Sequence, residues 1–413
     1  MTKPKRSKQF PPENVTPRLP EFSWATLPVG WHSSNSSGVW SPEDTRVLSK
    51  YAIITLEKMQ GIDTVVPAAT RARKGLYWCQ NINNESDLSA CQIPTALRGT
   101  DDQHRDAAKA IKSFNPRAVV LSYLNSVIQY PWYGAARSLA SHPDWWLRNS
   151  TGGIMHNLES GRPANESWLT YDHSVPAAAS AWSKACLDLT ASGDIDGCYV
   201  DGCTKVPHPL APAKQTAYGP AKMAMLVALQ KQVPAPLICG SNGKVYPGLG
   251  GSQIQNWGKA KKYSKREIPM LMTAMKAGVL FEAHGSAVCH AGGDPHDAAV
   301  QTELAAFLVA ADRYAYYMCR LLGNDAQSHL ALKHAQRPAT QVHMHTHAVH
   351  GAARALSGIR CTTCRSARPR QTPLWGLTVC GDASSSPPRS STTPRPKLVA
   401  FTGQIVRQFE RGD

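Results

Sequence analysis

The chain has 413 residues, of which 42% are apolar and 18% charged. That is enough to bury a sizeable core, which excludes a wholly disordered chain, while no apolar run approaches the roughly 18–20 residues of a membrane helix, which excludes an integral membrane protein. The formal charge of +16 sits at the ends: residues 1–20 carry five Lys/Arg and one acid, residues 330–413 carry twelve and three, and the stretch between carries 28 and 25. The excess reads as solvated terminal charge, and a nucleic-acid partner is not expected.

Residues 1–22 are polar, basic and Pro-rich and read as a disordered arm. From 23 to about 330, short apolar β-rich runs alternate with helix-like segments, which argues for βα units around a parallel sheet. Strands are predicted at 25–35 and at 52–58, after a helix with Ser41 as cap and Pro42 at its first position. A third follows at 118–126. A short extended piece at 167–174 precedes a helix opened by Ser174 and Pro176 and ending near Gly193. Further strands are predicted at 196–202, 236–243, 278–285 and 314–319. Seven continuous apolar runs in βα order suit strands buried on both faces. The fold class is therefore α/β, a (β/α)8 barrel over 23–330. The ring is either incomplete at its last strand or closed by LWGLTVC (374–380) or KLVAFTG (397–403). The remainder of 331–413 is a low-complexity basic tail, predicted to be disordered. No Gly-x-Gly-x-x-Gly follows any strand, so dinucleotide binding has no support.

The cysteines number eleven, too many by one for full pairing. Asn-x-Ser/Thr sequons stand at Asn14, Asn35, Asn84, Asn149 and Asn165, which matter only in the secretory path. No signal peptide is visible at the N-terminus, so the compartment stays open. Cys79 and Cys91 could pair if the chain is secreted. The His343, His345, His347, His350 group and Cys361-x-x-Cys364 lack matching partners, so no metal site is expected.

In a βα barrel the active site lies at the C-terminal ends of the strands. The polar residues expected there are Trp31 and His32 on the first strand, Glu57 on the second, Tyr123 and Asn125 on the third, and Asp201 on the fourth. Asn242 ends the fifth, and Glu282 with His284 the sixth. Carboxylates are rare in apolar strands, because burying an unpaired charge is expensive. Two at one mouth are the minimum equipment for glycoside hydrolysis: one protonates the leaving oxygen, the other attacks the anomeric carbon or activates water. Asp201 is read as the nucleophile and Glu282 as the general acid/base. Trp31, His32, Glu57, Tyr123, Asn125, Asp172, Asn242 and His284 are read as substrate-binding, with helix capping an equal reading for Asp172. No cofactor is expected. A non-catalytic carbohydrate-binding barrel is the alternative.

The segments WHSSNSSGVWSPEDTRVLSKYAIITLEKMQG, NPRAVVLSYLNSVIQYPWY, HPDWWLRNSTG, YDHSVPAAASAWSKACL and GDIDGCYVDG resemble those of the hypothetical glycosyl hydrolases of family fifteen, over residues 25–320. The resemblance implies a TIM barrel acting on carbohydrate. An Asp on strand four with an acid on strand six is also similar to retaining α-glycosidases of the α-galactosidase and dextranase kind, which points at Asp201 and Glu282.

Overall fold

A computed structural model describes residues 19–23, 27–66, 96–137, 141–157, 168–207, 210, 212–258, 263–288 and 298–320, with three short strands between 342 and 408. The elements run β1 (Gly30–Ser33), α1 (Pro42–Leu48), β2 (Ile53–Leu56), α2 (Ile62–Val65), α3 (Thr100–Phe114), β3 (Val119–Asn125), β4 (His156–Asn157), β5 (Trp168–Leu169), α4 (Pro176–Thr190), β6 (Gly197–Asp201), α5 (Pro212–Gln230), β7 (Ile238–Gly240), β8 (Gly251–Trp257), α6 (Ile268–Ala277), β9 (Leu280–Val288), α7 (Ala298–Leu308) and β10 (Ala315–Arg320). The order β1-β2-β3-β6-β7-β8-β9-β10 is parallel throughout, and a parallel bridge between Val29 and Tyr317 closes it into a ring. This is a (β/α)8 barrel. Among the described residues no helix is long and apolar enough to cross a membrane.

Local chemistry explains the joins. Ser41 accepts a hydrogen bond from the Asp44 amide and Pro42 opens α1, as the sequence indicated. Pro176 likewise opens α4. Strand β2 is buried along its whole length and β3 at all but its last residue, Asn125. Helices cover one face of these strands and the barrel interior the other, which is why they read as uninterrupted apolar runs.

Two expectations are corrected. The ring does not need the tail, because β10 is its eighth strand. The strand absent from the sequence reading is β8, GSQIQNW, whose buried residues include Ser252 and Gln253. Polar residues on both faces of this strand, Gln253 inward and Ser252 on the opposite side, interrupt any apolar run. KLVAFTG supplies β12 (Lys397–Phe401), which pairs antiparallel with β11 (Val342–Met344) and β13 (Gln404–Gln408) in a separate sheet. LWGLTVC, Cys79, Cys91 and the Cys361/Cys364 pair lie outside the described residues.

Below the strands, Asp196 ties the barrel to its shell. One carboxylate oxygen accepts the Val120 amide at 2.8 Å, and the other takes the Lys112 ammonium of α3 at 2.9 Å. Both side chains are largely buried. Replacing Asp196 with Ala leaves the Val120 amide unpaired and the Lys112 ammonium with only the Gly193 carbonyl at 3.0 Å, and is expected to cost about 3 kcal/mol of unfolding free energy. Urea denaturation measures this, and a loss below about 1 kcal/mol would contradict the role.

Candidate active site

The strand register fixes the height of every interior side chain. Asp201 stands beside Gly240, Gly240 beside Gln253, and Gln253 beside Glu282. Following such partners once around the ring returns to the starting strand eight residues earlier, the shear of eight usual for this barrel. Each step from strand to strand in chain order therefore descends by the height of one residue. Alternate strands then build layers of four. Glu57, Asp201 and Gln255 share the mouth layer. Beneath it lie His32, Tyr123, Gly240 and His284, then Thr55, Tyr199, Gln253 and Met318, and then Gly30, Leu121, Ile238 and Glu282. Burial follows the same order: Glu57 and Asp201 are partly exposed, whereas Tyr199, Gln253 and Glu282 are fully enclosed.

Asp201 ends β6, the fourth barrel strand. Its Oδ2 accepts the Tyr123 hydroxyl at 2.6 Å and the Asn125 amide at 3.3 Å, and its Oδ1 accepts the Gly202 amide at 2.7 Å. Gly202 has φ +69°, and a Cβ there would meet the Val127 side chain at 2.9 Å, so the turn that supplies this amide needs glycine. The disulfide Cys203–Cys239 ties the same turn to β7, and Cys186–Cys198 ties β6 to α4. Lys222 of α5, almost wholly buried, donates to the Gly202 and Lys205 carbonyls at 2.7 and 2.5 Å. Burial lowers its ammonium to about 7, against the pull of Asp201. Asp201, Lys58, Tyr123, Asn125, Tyr130 and Lys205 line a cleft of about 140 Å³.

Glu57, just past β2, sits level with Asp201. Its carboxylate accepts the Lys58 ammonium at 2.8 Å and lies 3.2 Å from His32 Nε2. Burial alone would raise its pKa, but the Lys58 charge and the His32 contact hold it well below the usual carboxylate range. The Lys58 ammonium also lies 4.8 Å from the centre of the Tyr123 ring. His32 Nδ1 faces the Gln253 amide nitrogen at 3.3 Å, and its ring stacks on His284 at 5.5 Å. From behind, buried His104 reaches the Glu57 carbonyl at 3.0 Å through Nε2, and burial lowers its pKa to about 4.

The sequence reading placed Glu282 at a strand end in the cleft, and the structure does not. It is the third residue of β9, a nine-residue strand, and the seventh strand of the ring once β8 is counted. It lies three layers below Asp201, a depth of roughly 8 Å at the usual rise and tilt. Tyr199 closes the space above it and donates to Gln253 Oε1 at 2.6 Å. Neither Glu282 oxygen meets a hydrogen-bond partner in good geometry among the described residues. Burial raises its pKa to about 8, offset in part by Gln253. The structure also places Trp31, Asn242 and Asp172. Trp31 alternates with the inward His32, so it points into the helical shell and packs on Tyr51 at 5.4 Å. Asn242 is exposed in a turn with φ +54°. Asp172 is buried, holding Ser174 at 3.0 Å through its amide and Lys214 at 2.5 Å, which is a turn-capping role. The residues missed from the sequence are Gln253, Tyr199, Tyr130 and Lys222. Polar residues within strands, helices or loops carry no local mark of facing a barrel axis.

A model described as hypothetical glycosyl hydrolase family 15 matches residues 112–335, more than half of the chain. The chain belongs to that family. The match runs from the end of α3 past β10, so it includes Asp201 and Glu282 but not Glu57. No curated protein matches the chain. Among solved structures, it is similar to the cycloalternan-degrading enzyme from Trueperella pyogenes, at 14% identity and a TM-score of 0.44 over 78% of this chain and 49% of that one. It is also similar to the cycloalternan-forming enzyme from Listeria monocytogenes, at 12% and 0.42 over 76% and 30%. A dextranase from Flavobacterium johnsoniae matches at 11% and 0.42 over 75% and 39%. The chain spans about half or less of the length of these structures.

Within this family member, enclosed Glu282 ties stability to pH. Its folded pKa is raised from 4.5 to about 8, so between those values the folded chain keeps a proton that the unfolded chain releases. Glu282 therefore contributes a fall in stability of several kcal/mol as pH rises from 4.5 to about 8, against the rise contributed by His104, whose lowered pKa acts with the opposite sign. The Glu282→Gln variant should lose that slope. Urea midpoints at pH 5 and pH 8 test this, and an unchanged slope in the variant would contradict the enclosed carboxyl.

Proposed function

We propose that this barrel hydrolyses an O-glycosidic bond in an oligo- or polysaccharide, with Asp201 as the nucleophile. Membership of a glycosyl hydrolase family supports the class of reaction. The observation that carries the assignment is the Asp201 carboxylate, presented at the end of the fourth strand by Tyr123, Asn125 and the Gly202 amide. A carboxylate oriented from several sides meets an anomeric carbon without reorganising. Tyr123 and Tyr130 line the cleft beside it. Isomaltose bound to Kfla1895, another structural neighbour, belongs to this substrate class.

A two-carboxylate mechanism needs a second acid at the same height. We assign Glu57, which shares the mouth layer with Asp201, in place of Glu282. In its protonated form it would give a proton to the leaving oxygen and in its ionised form take one from water. The hold of Lys58 and His32 keeps its pKa below the usual carboxylate range, so the protonated form it needs as an acid is lost there, and turnover is expected to decline with rising pH already through the acid range. Glu282 then belongs to the interior: it adjoins Gln253, which faces the His32 that meets Glu57.

The experiment is hydrolysis of a polysaccharide panel and of matched aryl glycosides by the whole chain and three variants. Asp201→Asn is expected to lose at least about 10³-fold on every substrate. Glu57→Gln is expected to lose about 10²–10⁴-fold on poor leaving groups and far less on activated aryl glycosides, which need no proton. Glu282→Gln is expected to keep its kcat. Full activity in Asp201→Asn would remove the nucleophile assignment. Loss in Glu282→Gln with retention in Glu57→Gln would return the acid/base role to Glu282. A non-catalytic carbohydrate-binding barrel is favoured by one observation, that Asp201 is the one carboxylate among the residues lining the cleft. Sugar binding by the wild-type chain without any turnover would decide for that reading.

A further inference from the structure

We propose that the cleft at Asp201 takes a sugar bearing an anionic group, the carboxylate of a uronic acid or a sulfate ester, and that Lys205 selects it. The inference deepens the hydrolase reading and rests on Asp201 as the reacting group. Three lysines surround Asp201: Lys58 and Lys205 on the cleft wall, and Lys222, which burial leaves only partly charged near neutral pH, behind the turn that carries Gly202. The Lys58 charge is taken up by Glu57 at 2.8 Å. Lys222 meets backbone carbonyls, and neither it nor Lys205 forms an ion pair with a carboxylate among the described residues. The Lys205 side chain is exposed beside the cleft, while its amide is anchored to the Gly202 carbonyl at 3.0 Å.

Glycoside cleavage passes through a transition state with positive charge on the sugar ring. Cations around the reacting carboxylate oppose that charge, and their repulsion grows as the site excludes water. Where Asp201 forms a bond to the anomeric carbon, its own negative charge is lost as well, and the unpaired cations remain. A neutral sugar leaves this excess in place. A substrate anion seated on Lys205 removes it, and the sugar brings that anion to the cleft in its ground state. An anionic substituent therefore offers both recognition and relief of a field that would otherwise work against the reaction. Uronate and sulfate share the chemistry that a lysine ammonium reads, a compact oxyanion accepting charge-assisted hydrogen bonds.

Calorimetric titration of the full chain tests the idea without requiring turnover. Methyl glucuronide and methyl galacturonide are compared with the corresponding methyl glucoside and galactoside, and glucose 6-sulfate with glucose. At least one anionic sugar is expected to bind about tenfold or more tightly than its neutral counterpart, with a preference that weakens as salt is added. The arm that shows the preference identifies the anion as carboxylate or sulfate. Lys205→Ala and Lys205→Gln should each erase most of the preference, lowering affinity for the anionic member of a pair by far more than for its neutral counterpart. Equal affinity for charged and neutral members of every pair overturns the proposal, as does a preference that survives both variants or a failure of every sugar to bind. A parallel assay of 4-nitrophenyl glucuronide and glucoside separates the two readings. A Lys205-dependent preference without hydrolysis of either glycoside leaves the anion site standing and removes the hydrolase. Hydrolysis of the glucoside at least as fast as the glucuronide, with no binding preference, does the reverse.

Discussion

The closure of eight parallel strands with a shear of eight is the constraint on which the site depends. It decides which side chains meet at the axis and at what depth. Because neighbours across the ring differ in height, two residues equally far along their own strands stand at different levels. Asp201 and Glu57 thus share the mouth although they lie on the fourth and second strands. Glu282, on the same hydrogen-bonded row as Asp201, is three layers down. The Tyr199–Gln253 contact at 2.6 Å closes the layer between them. The interior is consequently a graded column, from ionised Glu57 at the top, through His32 and Gln253, to enclosed Glu282, whose burial favours the neutral form at pH 7. Two carboxyl groups in one barrel are driven in opposite directions by their surroundings, Glu57 by a lysine and Glu282 by burial.

Much of this fold was legible in the chain. Seven of the eight barrel strands announce themselves as apolar runs, and Ser41 with Pro42, and Pro176, mark helix starts, whereas Ser174 does not cap its helix, which begins from Val175. Strand β8 was hidden because polar residues stand on both of its faces: Gln253, turned inward, is satisfied by Tyr199 and His32, and Ser252, on the opposite face, bonds to Ser241 at 3.0 Å. A side chain that finds its partners only in three dimensions looks, in sequence, like a loop residue. Missing that strand moved the count by one, which placed Glu282 on the sixth strand instead of the seventh.

Asp201 was legible for a simple reason. It follows four buried residues and precedes glycine, and that combination marks the edge of a strand at a mouth. Glu282 carried a similar local signal, but depth in a barrel depends on register with strands far away in sequence, which no local pattern contains. Trp31 illustrates the same limit on a smaller scale. Strand alternation settles that Trp31 and His32 face opposite ways, yet only the partners reveal which of them faces inward. The supporting shell was also out of reach. Lys222 is a single cation within a helix, and its role at the Gly202 turn comes from two carbonyl contacts across 17 and 20 residues of chain.

The central claim is that Asp201 opens to solvent at the mouth while Glu282 is sealed beneath the Tyr199 layer. Carbodiimide-mediated coupling of an amine to the carboxyl groups of the folded chain, followed by peptide mass spectrometry, measures this directly. The account predicts modification of Asp201 and none of Glu282 until the chain is unfolded. Labelling of Glu282 in the folded chain as readily as Asp201 would contradict it.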